Sequence, residues 1–248
     1  MSTGLDRRSP RPAATIVVAR PAPPGLEILL LQRPGAARFG AGAYAFPGGA
    51  IDGDDASAVW ESRLPPVGER TACAAALREL FEETGIVPAC AGPVDSGRLA
   101  AARQALLANQ TSFSRIAERM KLDFSAAGIV YFARWITPMN LALRFDTRFF
   151  LLAADEQIGP VSLSPEHDAA LWTTPAAALR RFAAGELPML FPTVRTIERL
   201  AGLGSPTAAL EALRDVRVEP VLVKLAASVG EKEARSLAPG DPGYDEIS

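Results

Sequence analysis

Apolar positions along this chain fall into short blocks that switch between the two-residue period of strands and the 3.6-residue period of helices. Residues 14–20 and 26–33 are aliphatic runs rich in strand-forming side chains, and the link 21–25, with Pro21, Pro23, Pro24 and Gly25, breaks them apart. This pattern predicts an antiparallel strand pair. Strand character returns at 129–138 and 144–152; in the second run Phe145, Thr147 and Phe149 share one face, while Asp146 and Arg148 share the other. A polar loop at 164–168 precedes a late strand at 170–172. Helical spacing covers about 69–85, 98–107, 113–120, 176–184 behind Pro175, 193–202 and 206–214. Residues 221–225 fit a strand or a helix. The alternation predicts one α/β domain over 13–238, a mixed sheet between helical layers, with a helical insertion at about 95–121. Loose tails are expected at 1–12 and 239–248.

The helix ending at Gly85 carries the most unusual polar pattern. Glu79, Glu82 and Glu83 fall within an arc of about 100°, opposite Cys73, Leu77, Leu80 and Phe81. Like charges one turn apart cost about 0.2–0.5 kcal/mol. Anions in the last turns cost about 0.3–1 kcal/mol more against the helix dipole. Arg78 offsets one of them, one turn from Glu82. The arrangement is either a solvated acidic face or a site for a hard divalent cation such as Mg²⁺ or Mn²⁺.

The string from Arg78 to Ile86, R-E-U-x-E-E-x-G-U with U a bulky aliphatic, resembles the end of the signature of the Nudix hydrolases. The resemblance implies an α/β/α sandwich. It also implies Glu79, Glu82 and Glu83 as ligands of Mg²⁺ or Mn²⁺, with Arg78 orienting them. A backbone carbonyl of the Pro47-Gly48-Gly49 turn, assigned to Gly49, would join them. The family reaction is hydrolysis of a nucleoside diphosphate linked to another moiety. Its signature runs G-x5-E-x7-R-E, and this chain departs from that spacing. Taking Glu69 as the first glutamate puts a long inserted loop, 53–68, between glycine and glutamate, with Glu69 bracing Arg78 or the loop. One of Glu79, Glu82 and Glu83, or Glu166 from the later loop, is the candidate base for the attacking water. His167 beside it is either a plain loop residue or a catalyst.

Substrate choice lies outside that signature. Arg33, Arg38, Gly42 and Phe46 stand in register with the extra motif of coenzyme A diphosphohydrolases, L-L-T-x-R-[SA]-x3-R-x3-G-x3-F-P-G-G. Leu31 and Pro34 depart from it. The long box and residues 144–150 are similar to the peroxisomal coenzyme A diphosphatase branch. That likeness implies cleavage of coenzyme A or acyl-CoA to 3′,5′-ADP and (acyl-)4′-phosphopantetheine, with Arg33, Arg38, Phe46, Arg144 and Arg148 contacting substrate. Other readings are a Nudix pyrophosphatase for NADH, ADP-ribose or nucleotide sugars, and a non-catalytic nucleotide sensor.

Composition narrows the remaining classes. A 48% apolar content and a net charge of −2 argue against disorder and against dedicated nucleic-acid or membrane-surface binding. No apolar run approaches the roughly 20 residues of a membrane helix, and the first residues lack the apolar core of a secretory signal. Cys73 and Cys90 form neither a disulfide framework nor a zinc pattern, and Cys73 reads as a buried hydrophobe. A reducing cytoplasm is the expected compartment and a small diphosphate the expected partner. A homodimer is compatible with the chain.

Overall fold

Strand β1 (Arg11–Ala22) is the hub of the sheet, because both of its edges are paired along most of its length. The computed structural model describes residues 9–37, 40–88, 95–155, 158–226 and 235–247. One edge of β1 runs parallel to β6 (Phe145–Ala153), from Arg11 opposite Phe145 to Ala19 opposite Ala153. The other edge is shared by two antiparallel neighbours. β4 (Gly48–Ala50) takes Ala13 to Thr15, and β2 (Gly25–Gln32) takes Ala19 to Ala22. β2 continues to β3 (Tyr44–Ala45) and β7 (Ala169–Thr173), while β6 continues to β5 (Gly128–Ile136) and β8 (Pro220–Leu222). β9 (Lys224–Ala226) and β10 (Arg235–Leu237) pair antiparallel in a second, two-stranded sheet.

Both faces of the central strands are covered, so their residues read as continuous apolar runs. Ile16, Val18, Phe150 and Leu152 pack beneath α1 (Arg70–Thr84), α2 (Ser96–Leu107) and α3 (Phe113–Met120). Val17, Ala19, Phe149 and Leu151 face α4 (Pro175–Ala183), α5 (Phe191–Leu200) and α6 (Pro206–Arg214). The α/β/α sandwich with a mixed sheet is therefore the observed architecture, and residues 221–225 divide between β8 and β9, with Val223 between the two strands.

Two boundaries differ from expectation. Arg11 and Pro12, placed in a loose tail by their polarity, are the first rungs of β1, since β6 offers a full-length partner. The end of the chain is also organised. Lys224 Nζ donates to the carbonyls of Tyr244 and Ile247, the Tyr244 hydroxyl donates to the Leu222 carbonyl, and Arg195 pairs with Asp241.

The two inserted segments pack on each other. Trp60, within 53–68, meets the Phe113 ring of α3 at 5.3 Å between centroids, and Phe113 meets Phe81 of α1 at 5.7 Å. Asp54 accepts from the Ser114 amide and hydroxyl at the start of α3. α3 is thus a cover over α1. Cys73, at the centre of this layer, is fully buried, and burial pushes its thiol up to about 12. Cys90 lies outside the described residues.

Candidate active site

The glutamate face of α1 is turned against protein. Side-chain exposure is 14% for Glu79, 24% for Glu82 and 8% for Glu83, which excludes a simple solvated face. α1 runs toward the Gly48-Gly49 turn and ends with Gly85 in the left-handed conformation at φ 73°. Its last carbonyls are not left open. Arg103 of α2 donates to the Glu82 carbonyl through Nε and Nη2, at 3.1 and 2.7 Å. The loop before β7 supplies the Ser164 amide to the Glu83 carbonyl and the Ser162 amide to the Thr84 carbonyl. That docking carries Glu166 and His167 to the site.

Gly48 and Gly49 are needed for close approach. A Cβ on Gly48 would overlap the Ala14 carbonyl, and one on Gly49 would overlap the Glu79 carboxylate. The Gly48 amide donates to Glu83 Oε2 at 3.0 Å. His167 Nε2 lies 3.4 Å from Glu83 Oε1. Burial, then the charge of Glu79, drives the Glu83 carboxyl well above the usual range. Burial pushes Glu79 up to about 7 against the pull of Arg78, and it raises Glu82 as well. Burial and the nearby Arg33 lower His167 to about 4, so its imidazole is neutral near pH 7.

Arg78 is the organiser of the cluster, and its main partner is one the sequence reading missed. Its Nε and Nη2 reach both oxygens of Asp55, at 3.0 and 2.9 Å, and Nη2 also donates to the Ala50 carbonyl. Nη1 donates to Glu79 at 2.8 Å and lies 3.4 Å from Glu82 Oε2. Asp55 has no exposed side-chain area. Glu69 does not brace Arg78. It sits just before α1 at φ 60° and pairs with Arg148 at 3.4 Å. The insertion therefore lies between the acidic residue and the Arg-Glu pair, not between glycine and acid. The signal was present, because Asp55 is six residues after Gly49, where the signature asks for glutamate; an aspartate filled the place.

The donor set suits a hard cation, since two buried carboxylates with raised proton affinity face a backbone turn. Among the described residues, however, no three His, Cys, Asp or Glu side chains form a ready-made cage. Arg78 Nη1 engages both Glu79 and Glu82.

A cleft of about 520 Å³ opens beside Gly48 and Gly49. Arg33 and Phe46 line it, as do Trp135, Phe145, Phe149 and Phe191. Arg11, consigned to the tail by sequence, also reaches it. Arg144 is buried beside the cleft, its Nε donating to the Thr137 carbonyl. Arg148 is on the opposite face of β6, held by Asp146 and Glu69, and is not brought to the cleft. Arg38 lies outside the described residues.

A family model described as the NUDT19 Nudix domain matches residues 67–200, just over half of the chain. The chain belongs to the NUDT19 Nudix domain family. It is accordingly a Nudix hydrolase, a diphosphatase by class. The crystal structure of a NUDIX hydrolase from Alicyclobacillus acidocaldarius matches this Nudix domain with a TM-score of 0.67 and 32% identity, covering 83% of this chain and 97% of that one. The acyl-coenzyme A diphosphatase NUDT19 of Homo sapiens is 26% identical over 302 residues, covering 96% of this chain and 78% of that protein. The protein of the same name from Gallus gallus is 26% identical over 254 residues, covering 80% of this chain and 65% of its own length. Among the described residues no helix is long and apolar enough to cross a membrane.

Proposed function

We propose that this Nudix hydrolase cleaves the diphosphate of coenzyme A or an acyl-CoA, releasing 3′,5′-ADP and 4′-phosphopantetheine or its acyl form. The observation that carries the reading is the aromatic cleft opening on the glycine turn where Glu79 and Glu83 meet. Coenzyme A joins a highly charged nucleotide to a long, weakly polar arm, and such a ligand needs an apolar cleft and a phosphate site side by side. The names of the human and chicken relatives agree with that chemistry.

Glu79, Glu82, Glu83 and the Gly49 carbonyl are the groups that would hold Mg²⁺ or Mn²⁺, whose charge neutralises diphosphate oxygens in the transition state. Arg78 holds Glu79 and Glu82 in place and is itself clamped by Asp55 and the Ala50 carbonyl. Arg33 meets the negative charge of the diphosphate at the cleft wall. Arg144 braces the strand end behind the cleft. Glu166, exposed beside Glu83, accepts the proton of the attacking water as the P–O bond to the leaving phosphate breaks. Phe46, with the aromatic side chains around it, packs against the uncharged parts of the substrate.

The test is incubation of purified protein with an acyl-CoA and Mg²⁺, with chromatographic identification of products. Release of 3′,5′-ADP is expected. Cleavage of NADH or a nucleotide sugar with acyl-CoA left intact would overturn the substrate assignment. The Glu79→Gln and Glu83→Gln variants should each lose about 100-fold or more in kcat, equivalent to about 3 kcal/mol of charge stabilisation.

A further inference from the structure

His167 is the one histidine of the chain, and no family signature accounts for it. Its side chain is only 9% exposed, although it belongs to a loop. Three backbone hydrogen bonds fix that loop: Ser164 to the Glu83 carbonyl, His167 to the Ser164 carbonyl and Asp168 to the Gln32 carbonyl. The first ties it to the residue whose side chain the imidazole faces. Nδ1 is buried and, among the described residues, has no hydrogen-bond partner. Glu83 thus has a neighbour at each oxygen: the Gly48 amide donates to Oε2 at 3.0 Å, and His167 Nε2 lies 3.4 Å from Oε1.

We propose that His167 is a positioning residue, whose Nε2–H holds the Glu83 carboxylate against the Gly48-Gly49 turn in the orientation that receives the cation. When Glu83 is ionised, as ligation of a cation requires, the tautomer with hydrogen on Nε2 is attractive and the other repulsive. The geometry leaves lone pairs on both Glu83 oxygens, since a carboxylate offers about four acceptor sites. Without the imidazole, Glu83 is held at one oxygen only and turns about its last torsion. The inference rests on the proposed cation-dependent reading of the site.

The probe is Mn²⁺ alone, titrated calorimetrically into metal-free wild type and into His167→Gln, His167→Asn and His167→Ala, with kcat and KM measured in parallel. Loss of a hydrogen-bond partner behind a ligand weakens metal binding by about 10–100-fold. His167→Ala should show that loss in Mn²⁺ affinity, with a matching fall in kcat at subsaturating Mn²⁺ and little change in substrate KM at saturating Mn²⁺. His167→Gln can place an amide N–H near the position of Nε2 and should recover most of the affinity. His167→Asn, one carbon shorter, should not. Mn²⁺ binding equal to wild type in His167→Ala, or equal impairment in the Gln and Asn variants, would overturn the role. The Gln and Asn pair decides the matter even if the Ala variant fails to fold. Failure of wild type to bind Mn²⁺ at all would instead refute the underlying cation reading.

Discussion

Asp55→Ala is the substitution that most directly probes how the site is built. It removes a side chain with no exposed area and leaves Arg78, 7% exposed, without its two-oxygen partner. Arg78 keeps the Ala50 carbonyl and the two glutamates, so the guanidinium is not abandoned, but a buried cation has lost the one carboxylate that meets it through both oxygens. The Asp52 amide, which donates to Asp55 Oδ2 at 2.9 Å, loses its acceptor too. Breaking one side of a buried ion pair costs about 3–5 kcal/mol. For a chain of this size each kcal/mol lowers the melting temperature by about 2–4 °C, so a fall of about 6–20 °C is expected by circular dichroism. Adding Arg78→Met in the Asp55→Ala background should recover part of that loss, because the buried cation that lacks its two-oxygen partner is gone. Catalysis should fall in both variants, since Glu79 and Glu82 lose the group that places them. A melting temperature within about 2 °C of wild type for Asp55→Ala would refute the claim that this pair anchors the insertion to α1.

Three further outcomes follow from the geometry. Gly49→Ala should cost turnover far more than stability: the added methyl displaces the Glu79 carboxylate, the free end of a flexible side chain, so a near-normal melt with a loss of Mn²⁺ affinity and kcat is expected. In metal-free protein, stability should fall as pH rises from about 4.5 to about 7, because burial raises Glu79 from 4.5 to about 7 and Glu83 moves in the same direction. In that window the folded chain binds more protons than the unfolded one, and Glu79 alone is worth about 3 kcal/mol, lost as pH passes its folded value; added Mg²⁺ should stabilise the protein more at pH 8 than at pH 5, and a thermal-shift series that shows no such trend would contradict it. Trp60→Ala should cost about 3–5 kcal/mol, since the ring is 1% exposed and its Nε1 donates to the Asp54 carbonyl next to Asp55, and chemical denaturation measures it.

Local chemistry made the glutamate helix, its glycine stop, the alternating faces of β6 and the proline-started helices readable from the chain alone, since each depends on neighbours within a few residues. The same was true of the glycine turn and of the family. Long-range partners were not readable. Which acid answers Arg78 was decided by a segment that leaves β4, folds through Trp60 onto Phe113 and returns Asp55 to α1 across 23 residues. Arg148 and Arg11 exchanged their expected places for the same reason: Arg148 met Asp146 and Glu69 on the far face, while Arg11 was drawn into β1 by β6 and brought to the cleft. A residue type specifies what a side chain is able to bind; only the packing of distant strands and helices specifies what stands within its reach.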